Sequence, residues 1–449
     1  MNYLKKLEQE VILKNRCFGC GLCIVPFLKE EATMEILDDV SLPKFKDQIE
    51  LKLDKDIFNA CPGIGINYMD LYNEYYGSPP NNWYTGIADK FGIGYSLDND
   101  LRNKCSSGGV LTEILIYLLE KKLIDAAVLV KQGLPNPRYA SYYFARNRKD
   151  IMECAQSVYT PVSNLDSMRE FKSNEKYAIT CLPEQSASIR YLQMRGHKQS
   201  LQIKYILGPY TGTSLKHSAI DALLRLYKIP KHDKIKEIKW RDGKWPGSLN
   251  ITFNSGNKIN SKKIYYNFLT PFYISRTSLQ SQDFVNEFAD ISVGDAWSPE
   301  FEKKEEGVSV VISRNKEMSL IIEEMIKLEK ITLKNVNKTE ILNMHGHMND
   351  FKKRGSYIRL RMRSLFNIAS PNNGLRPDSI LISRVFVEIV IVLIFKLCSN
   401  SFSRKIMEFI PVTWLGFIFN KARLAWKELS KPVKRNNLSS LKMIRSNKK

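Results

Sequence analysis

Apolar positions between residues 108 and 227 follow two alternating patterns. The segment 108–124 spaces them as on one face of a helix, whereas AAVLVK at 126–131 is short and continuously apolar, as in a buried strand. The same alternation predicts further strands at 176–183 and 202–210 and further helices at about 184–194 and 214–227. Strands that alternate with helices indicate an α/β (α+β) fold with an open, mostly parallel sheet.

From about residue 236 apolar residues occur at every second position. The segment 236–267 predicts an inserted antiparallel β-meander, with NSGN as one of its turns. Apolar runs at 289–297 and 308–314 then return to the α/β pattern. We therefore predict one α/β domain over 81–350 that carries the meander as an insertion.

Two further domains flank this one. Residues 1–80 form a small, loop-rich module that ends at the turn-rich stretch GSPPNNWYTG. Residues 351–449 form a basic helical tail with apolar stretches at 384–396 and 408–421. Glu388 interrupts the first and Pro411 the second, so neither gives the roughly 20 uninterrupted apolar residues of a membrane-spanning helix.

The net charge of +21 is concentrated in the tail. From Lys352 onward 21 basic side chains face four acidic ones, whereas the first 351 residues carry 47 basic and 43 acidic side chains. A nucleic-acid-binding protein that uses the tail is a minor alternative, because the basic and aromatic modules of common RNA binders are missing; we expect no nucleic acid partner.

Apolar stretches with dense flanking cations are typical of helices that lie on an anionic membrane surface. The alternative is a pair of core helices with a solvated basic coat. The N-terminus shows no apolar signal-peptide region, so we expect a cytoplasmic protein that is peripheral at the inner face of the membrane.

The strongest chemical signal is the sequence CFGCGLC, which places Cys17, Cys20 and Cys23 in the C-x2-C-x2-C spacing that opens a bacterial iron–sulfur run. The fourth ligand is expected to be Cys61, because Pro62 follows it and restores the Cys-Pro ending. Four thiolates suit a [4Fe–4S] cluster, since each iron takes one soft anionic ligand. Structural zinc and the absence of any metal remain alternatives. The other cysteines are expected to be buried thiols.

A second signal is CSSGG before the predicted helix at 108–124. Ser106 is a candidate N-cap, and Ser107, Gly108 and Gly109 would leave the first helical amides open to an anion. SSGG also occurs where a helix simply begins, so the motif alone does not define a site.

Taken together, the chain resembles the coenzyme F-420 hydrogenase/dehydrogenase beta-subunit family, including a bacterial branch associated with polysaccharide biosynthesis. The resemblance covers roughly residues 15–320 and is carried, in order, by CFGCGLC, Cys61-Pro62, SSGG, AQSVYTPVS, CLPEQSASIRYL, LGPYTGT and FADISVGDAW.

The resemblance implies an iron–sulfur flavoprotein. FAD or FMN would be held by the SSGG loop and by loops that contain Ser157, Tyr159, Pro183 and Gln185. Asp295 would orient a ribityl or ribose hydroxyl, or else act as an N-cap. No catalytic side chain is identified.

Some positions depart from the family pattern. Ser278, Ser281 and Glu184 stand where members with a second cluster carry cysteines, which implies a single cluster here. Val158 replaces the lysine of a Ser-Lys-Tyr pattern and removes a cation beside the flavin.

The implied function is electron transfer from a ferredoxin or a redox partner subunit, through the cluster and the flavin, to a small-molecule or saccharide-linked acceptor. The competing interpretation is a non-catalytic electron-transfer or scaffold subunit that has lost the flavin, for which the changes at Val158 and Glu184 would account. Histidine-based hydrolysis is disfavoured, because His345 and His347 form no metal-binding motif and are expected at the surface.

Overall fold

The computed structural model describes residues 2–37, 39–46, 52–304, 306–436, 438 and 440–446. Its N-terminal part consists of short helices around one β-hairpin. The elements are α1 (Tyr3–Leu7), β1 (Ala32–Leu37), β2 (Val40–Phe45), α2 (Lys55–Asn59) and α3 (Tyr68–Tyr76). Asp54 and Asn67 begin α2 and α3 by accepting hydrogen bonds from the first helical amides, as good N-cap residues do.

The central part alternates strands and helices along the chain. Up to the meander its elements are β3 (Lys90–Ser96), α4 (Asn99–Lys104), α5 (Val110–Glu120), β4 (Ala126–Gln132), β5 (Ala140–Ala145), α6 (Arg148–Glu153), β6 (Tyr177–Thr180), α7 (Pro183–Gln193), α8 (Lys198–Leu201), β7 (Ile203–Pro209) and α9 (Ser218–Leu226).

The predicted meander forms a separate three-stranded antiparallel sheet. It comprises β8 (Ile235–Asp242), β9 (Ser248–Phe253) and β10 (Lys258–Lys262). The central part then continues with α10 (Lys263–Tyr266), α11 (Leu269–Tyr273), α12 (Arg276–Gln280), β11 (Ile291–Asp295), α13 (Pro299–Lys304), β12 (Ser309–Ser313), α14 (Lys316–Lys327), β13 (Ile331–Asn335) and α15 (Lys338–Asp350).

The α/β fold predicted from the sequence is confirmed, with one correction to the sheet. The eight strands lie in the order β13-β3-β12-β11-β7-β6-β4-β5. The four neighbours β11, β7, β6 and β4 run parallel, but every other pairing is antiparallel, so the sheet is mixed rather than mostly parallel. The antiparallel strands β3, β5 and β13 were not predicted.

Both faces of this sheet are covered. On one face, residues of the N-terminal part such as Leu7, Ile24 and Phe58 share a core with Ile179 and Ile206 of the sheet. On the other face, α5 and α14 pack against it. The cysteine-bearing part therefore lies directly on the sheet.

The C-terminal part is helical, as predicted. A π-helical turn at Phe351–Gly355 joins α15 to α16 (Ser356–Leu365), and then follow β14 (Leu375–Pro377), α17 (Ile382–Cys398), α18 (Ser401–Phe409), α19 (Val412–Arg435) and β15 (Met443–Arg445). None of the described helices is both long and apolar enough to cross a membrane.

Candidate functional site

Cys17, Cys20, Cys23 and Cys61 line one cavity of about 20 Å³. The first three lie in and beside the 3-10 turn at Leu22–Ile24, and Cys61 follows the end of α2. Chain folding therefore brings the distant cysteine to the triplet, as the sequence predicted. Their role as metal ligands stays a prediction.

Two glycines allow the loop that carries Cys17, Cys20 and Cys23 to pass close to Ser41 and Asp166. Gly19 and Gly21 have φ angles of +66° and +86°, in the left-handed region that favours glycine. A Cβ atom added to Gly19 would lie 2.9 Å from the Ser41 carbonyl oxygen, and one added to Gly21 would lie 2.8 Å from the Asp166 backbone nitrogen. With this backbone path the Gly19 N–H donates to the Cys17 sulfur over 3.3 Å.

Burial keeps the four thiols protonated in the absence of a cation. Desolvation, reinforced by the neighbouring Cys61, raises the pKa of Cys17 to about 12. Desolvation also raises the pKa values of Cys20, Cys23 and Cys61, although backbone N–H groups oppose the shift at each. Thiolates are the metal-binding form, so ionisation of this group would be coupled to the binding of a cation.

A much larger cavity, of about 390 Å³, adjoins the cysteines. Phe18 and Cys20 line both cavities. The loops that follow β6 and β7 and the last residues of β11 form part of its wall. These are the carboxyl ends of parallel strands, where open α/β sheets bind ligands.

Seven of the nine predicted flavin-site residues line this cavity. They are Ser106, Ser107, Gly109, Ser157, Tyr159, Gln185 and Asp295. Gly108 and Pro183 do not line it. A Cβ atom at Gly108 would lie 2.7 Å from the Gly94 carbonyl oxygen, and Pro183 is buried in the first turn of α7.

The predicted N-cap role of Ser106 is wrong. The helix α5 begins at Val110, and its N-cap residue is Gly109 with φ +75°. Ser106 Oγ instead accepts a hydrogen bond of 2.8 Å from the Ser157 N–H, and Ser107 Oγ donates one of 2.9 Å to the Val308 carbonyl. The serines therefore anchor the loop, while the first turn of α5 still lines the cavity.

Asp295 is not an N-cap. It ends β11 and lies 2.7 Å from Nη1 of the buried Arg241. Burial opposes its ionisation, but the charges of Arg241 and Lys263 outweigh burial and lower its pKa. Nη2 of Arg241 has no hydrogen-bond partner among the described residues, although Arg241 lines the cavity.

The three positions that depart from the family's cysteine pattern meet at one wall of the same cavity. Glu184, Ser278 and Ser281 all line it, together with Lys352 from the π-helical turn. Lys352 Nζ donates to the Ser278 carbonyl over 2.9 Å, and Ser281 Oγ donates to the Asp283 carbonyl over 3.2 Å.

Burial favours the uncharged forms of both ionisable groups in this wall. Desolvation raises the pKa of Glu184 and lowers that of Lys352 to about 8, while their mutual attraction opposes both shifts. Glu184 Oε1 has no hydrogen-bond partner within the described part of the chain. An unsatisfied carboxyl oxygen at a cavity wall is available to a ligand.

Sequence reasoning missed Arg241 and Lys352. Arg241 follows Trp240 in the meander, and both side chains are buried, so strand alternation fails there. That failure is visible only in the structure. Lys352 is only 1% exposed, although it begins the basic tail. His345 and His347, expected at the surface, are buried and half-buried respectively.

Two family models match the chain. Residues 93–169 match the coenzyme F420 hydrogenase/dehydrogenase beta subunit N-term, and residues 174–339 match the C terminus of the same subunit. Together the two matches cover more than half of the chain.

Curated relatives include three F420-linked enzymes. The chain is 26% identical over 364 residues to the coenzyme F420-dependent sulfite reductase of Methanocaldococcus jannaschii, which covers 77% of this chain and 52% of that protein. It is 23% identical over 265 residues to the coenzyme F420 hydrogenase subunit beta of Methanococcus voltae, over 58% of this chain and 87% of that one. The match to the F420-dependent formate dehydrogenase subunit beta of M. jannaschii is 24% identical and spans 33% of this chain and 39% of that subunit.

A chain of the F420-reducing [NiFe] hydrogenase complex from Methanosarcina barkeri has a similar fold. The superposition has a TM-score of 0.52 and 18% sequence identity, and it covers 65% of this chain and 98% of that one. This likeness supports the fold.

Proposed function

Because the chain belongs to the coenzyme F420 hydrogenase/dehydrogenase beta-subunit family, we propose that it is an iron–sulfur flavoprotein oxidoreductase. In this proposal Cys17, Cys20, Cys23 and Cys61 hold a [4Fe–4S] cluster, and the large cavity holds FAD or FMN. The observation that carries the proposal is the wall of Phe18 and Cys20, which the cysteine cavity and the large cavity share.

The cysteine cavity fits a cluster better than a single zinc ion. Its lining is rich in thiols, and amides point at the sulfurs. Nevertheless, among the described residues no three His, Cys, Asp or Glu side chains are grouped closely enough to hold a metal ion. The preference for a cluster over zinc therefore rests on the cysteine spacing. Zinc sites usually pair two C-x2-C knuckles, whereas a four-iron cluster would take one thiolate on each iron.

The large cavity fits a flavin in size and polarity. Its volume of about 390 Å³ lies within the usual range for cofactor pockets. Arg241 and Lys352 supply cations to its wall, and the N-terminus of α5 faces it, so a phosphate would find positive partners despite Val158. The unpaired Nη2 of Arg241 and Oε1 of Glu184 are free to bind a ligand.

When bound, the cluster would carry single electrons and the flavin would exchange them for a two-electron hydride. Hydride transfer to an organic acceptor also requires a proton. Glu184 Oε1 is unpartnered and its pKa is raised, chiefly by burial, so it is the group that we assign to hold that proton. Lys352, whose pKa is lowered to about 8, would stabilise the carboxylate after the proton leaves.

The partners follow from the same proposal. The relatives are named as subunits or F420-dependent enzymes, and we propose a ferredoxin or a redox partner subunit as the electron donor. The acceptor is proposed to be a small organic or saccharide-linked molecule, and the protein is proposed to act in polysaccharide biosynthesis near the inner face of the membrane. An unchanged surface glycan after deletion of the protein would contradict the saccharide role.

Anaerobic purification followed by iron, sulfide, zinc and flavin analysis tests the proposal. We expect iron and sulfide in equal amounts, and a yellow chromophore that acid releases. Stoichiometric zinc without iron would reject the cluster. Iron without any bound flavin, even after addition of FAD and FMN, would favour the electron-transfer subunit that lacks flavin.

A further inference from the structure

The helix α17 presents an apolar face outward. Ile382 is 88% exposed, Phe386 65% and Leu397 67%. Their spacing of four and eleven residues places them on one side of the helix. Soluble proteins rarely leave so many large apolar side chains together in water.

The opposite face of α17 is charged and buried. Arg384 is 1% exposed and Glu388 is 0% exposed. Arg384 lies 2.7 Å from carboxylate oxygens of both Asp350 and Glu388, and Glu388 also pairs with Arg359. The helix is therefore inverted relative to an ordinary surface helix, because its ionic face is inside and its apolar face is outside.

The next two helices extend the exposed apolar surface. α17 contacts both α18 and α19. The large apolar side chains that α18 and α19 expose are Phe402, Ile406, Phe409, Trp414, Phe417, Ile418, Leu424 and Leu429. Phe409 is 87% exposed and lies at the end of α18, while Trp414 is 66% exposed in the first turn of α19. Aromatic side chains at such positions are typical of membrane–water interfaces.

The same three helices also expose cations. The exposed basic side chains of α17–α19 are Lys396, Lys405, Lys421, Arg423, Lys427 and Lys431. Glu428 is the one exposed acidic side chain of these helices, each of which is described in full, and it lies 3.8 Å from Lys431. Long basic side chains lay their methylene groups along apolar surface and keep their charge at its edge.

We propose that α17, α18 and α19 together form a docking surface for an anionic membrane leaflet. The outward apolar face would enter the headgroup region, and the exposed cations would pair with lipid phosphates. The buried face of α17 packs against α11 and α16, so the helix lies along the surface. A second copy of the chain fits less well, because a two-fold interface would place these cations against one another.

Vesicle flotation with the full-length protein tests this surface. We expect the protein to float with phosphatidylglycerol–phosphatidylcholine vesicles at low salt, and about tenfold less with pure phosphatidylcholine or at high salt. Equal binding to both vesicle types would overturn the anionic preference, and no binding to either would overturn the proposal.

Matched variants distinguish binding through this surface from non-specific hydrophobic adsorption to vesicles. The triple variant Ile382→Ser, Phe386→Ser, Leu397→Ser is expected to lose at least about tenfold in vesicle binding. The control Leu13→Ser, Leu201→Ser, Leu320→Ser removes apolar side chains that are 74%, 59% and 63% exposed outside these helices, and it should bind like the wild type. Equal loss in both triple variants would overturn the assignment.

A charge variant gives a second readout if the apolar variant folds poorly. Lys421→Glu, Arg423→Glu, Lys427→Glu changes only exposed side chains and should abolish the phosphatidylglycerol preference, with the far-ultraviolet circular dichroism unchanged. A wild-type dimer that the apolar triple variant dissociates, with no lipid binding, would instead assign the face to a second copy of the chain.

Discussion

Two buried polar clusters each take one cation from the same π-helical turn at Phe351–Gly355. Lys352 reaches the cavity wall, where Glu184 Oε1 has no hydrogen-bond partner in the described structure. Arg354, two residues later, lies 2.6 Å from Asp350, which also pairs with Arg384. In the tail cluster Asp350 and Glu388 each lie within ion-pair distance of two guanidinium groups, although Arg384 Nη1 has no hydrogen-bond partner among the residues that the structure describes. In the cavity cluster the unpartnered Glu184 Oε1 belongs to a residue that lines open space.

This difference distinguishes charges that compensate one another from polar groups that are available to a ligand. Buried charges that compensate one another stabilise a packing arrangement, and removal of one partner is costly. Buried polar groups that stay unpaired at a cavity are retained at a cost to stability, which is the usual mark of a ligand site. The four cysteines are the extreme case, because burial raises the pKa of every one of these thiols.

The largest effect is expected at these cysteines. Cys20→Ser should remove nearly all of the iron that the wild type retains after anaerobic reconstitution, because serine is a poor substitute for a thiolate ligand. Cys398→Ser is the matched control, because Cys398 is the half-buried last residue of α17. This variant should keep about four irons per chain. Iron analysis and visible absorbance measure both. Full iron in the Cys20 variant would refute the ligand assignment.

The second-largest effect is expected in the free energy of unfolding, which should respond differently to substitutions in the two clusters. Glu388→Gln leaves Arg359 without a buried counter-charge and Arg384 with Asp350 alone, so it should lower the free energy of unfolding by about 3–5 kcal/mol. Glu184→Gln should cost less than about 1 kcal/mol, because its carboxyl is incompletely paired. Urea unfolding monitored by circular dichroism measures both. Similar losses in the two variants would remove the distinction between the clusters.

The double variant Arg359→Leu, Glu388→Leu sharpens the same comparison. It removes both members of one ion pair and leaves Asp350 paired with Arg354 and Arg384. Apolar replacement of a complete buried pair is often neutral, so the double variant should be more stable than Glu388→Gln.

Acid should lower the free energy of unfolding through His345, which lies beside the cavity residue Asp295. Desolvation lowers its pKa from 6.5 to about 4, although Nε2 contacts the Asp295 carbonyl oxygen over 2.7 Å. The folded state therefore resists protonation that the unfolded state accepts. The contribution of His345 to the free energy of unfolding is fully present above pH 6.5. It falls by up to about 3 kcal/mol as the pH falls toward 4.

The pH dependence of urea unfolding in wild type and His345→Gln checks this expectation. The variant should show a shallower loss between pH 6.5 and about 4. His232→Gln, in an exposed position, should leave the wild-type slope unchanged. Parallel curves for all three proteins would contradict a buried neutral His345.

The strands in the middle of the sheet could be predicted from the sequence, but β3, β5 and β13, toward its two ends, could not. The strands β4, β6, β7 and β11 are apolar runs beside clear helices, and their predicted ranges overlap the observed ones. The strand β3 contains Gly92 and Gly94, which weaken strand propensity. A Cβ atom at Gly92 would lie 2.5 Å from Leu333 of β13, so these glycines allow close packing that only the structure shows.

Part of the candidate site could also be predicted from the sequence, and part could not. Short motifs in the chain predicted the four cysteines, and the family resemblance implied most of the cavity loops. Arg241 and Lys352 come from the meander and the π-helical turn, far from those motifs in sequence. Their long-range placement depends on tertiary packing that no local pattern encodes, and for the same reason the burial of Glu388 was not predicted.

The smallest effect is expected at Val158. This half-buried residue lines the cavity, and the sequence resemblance implies a lysine at its position in the family pattern. Val158→Lys should tighten FAD or FMN binding by about tenfold or less, because Arg241 and Lys352 already supply positive charge to the wall. Val158→Met keeps an apolar side chain and should bind like the wild type. Fluorescence quenching titrations at low and high salt measure the change. Equal tightening in both variants would attribute the gain to packing, and weaker binding in Val158→Lys would show that the cavity does not receive the anionic part of a flavin at this position.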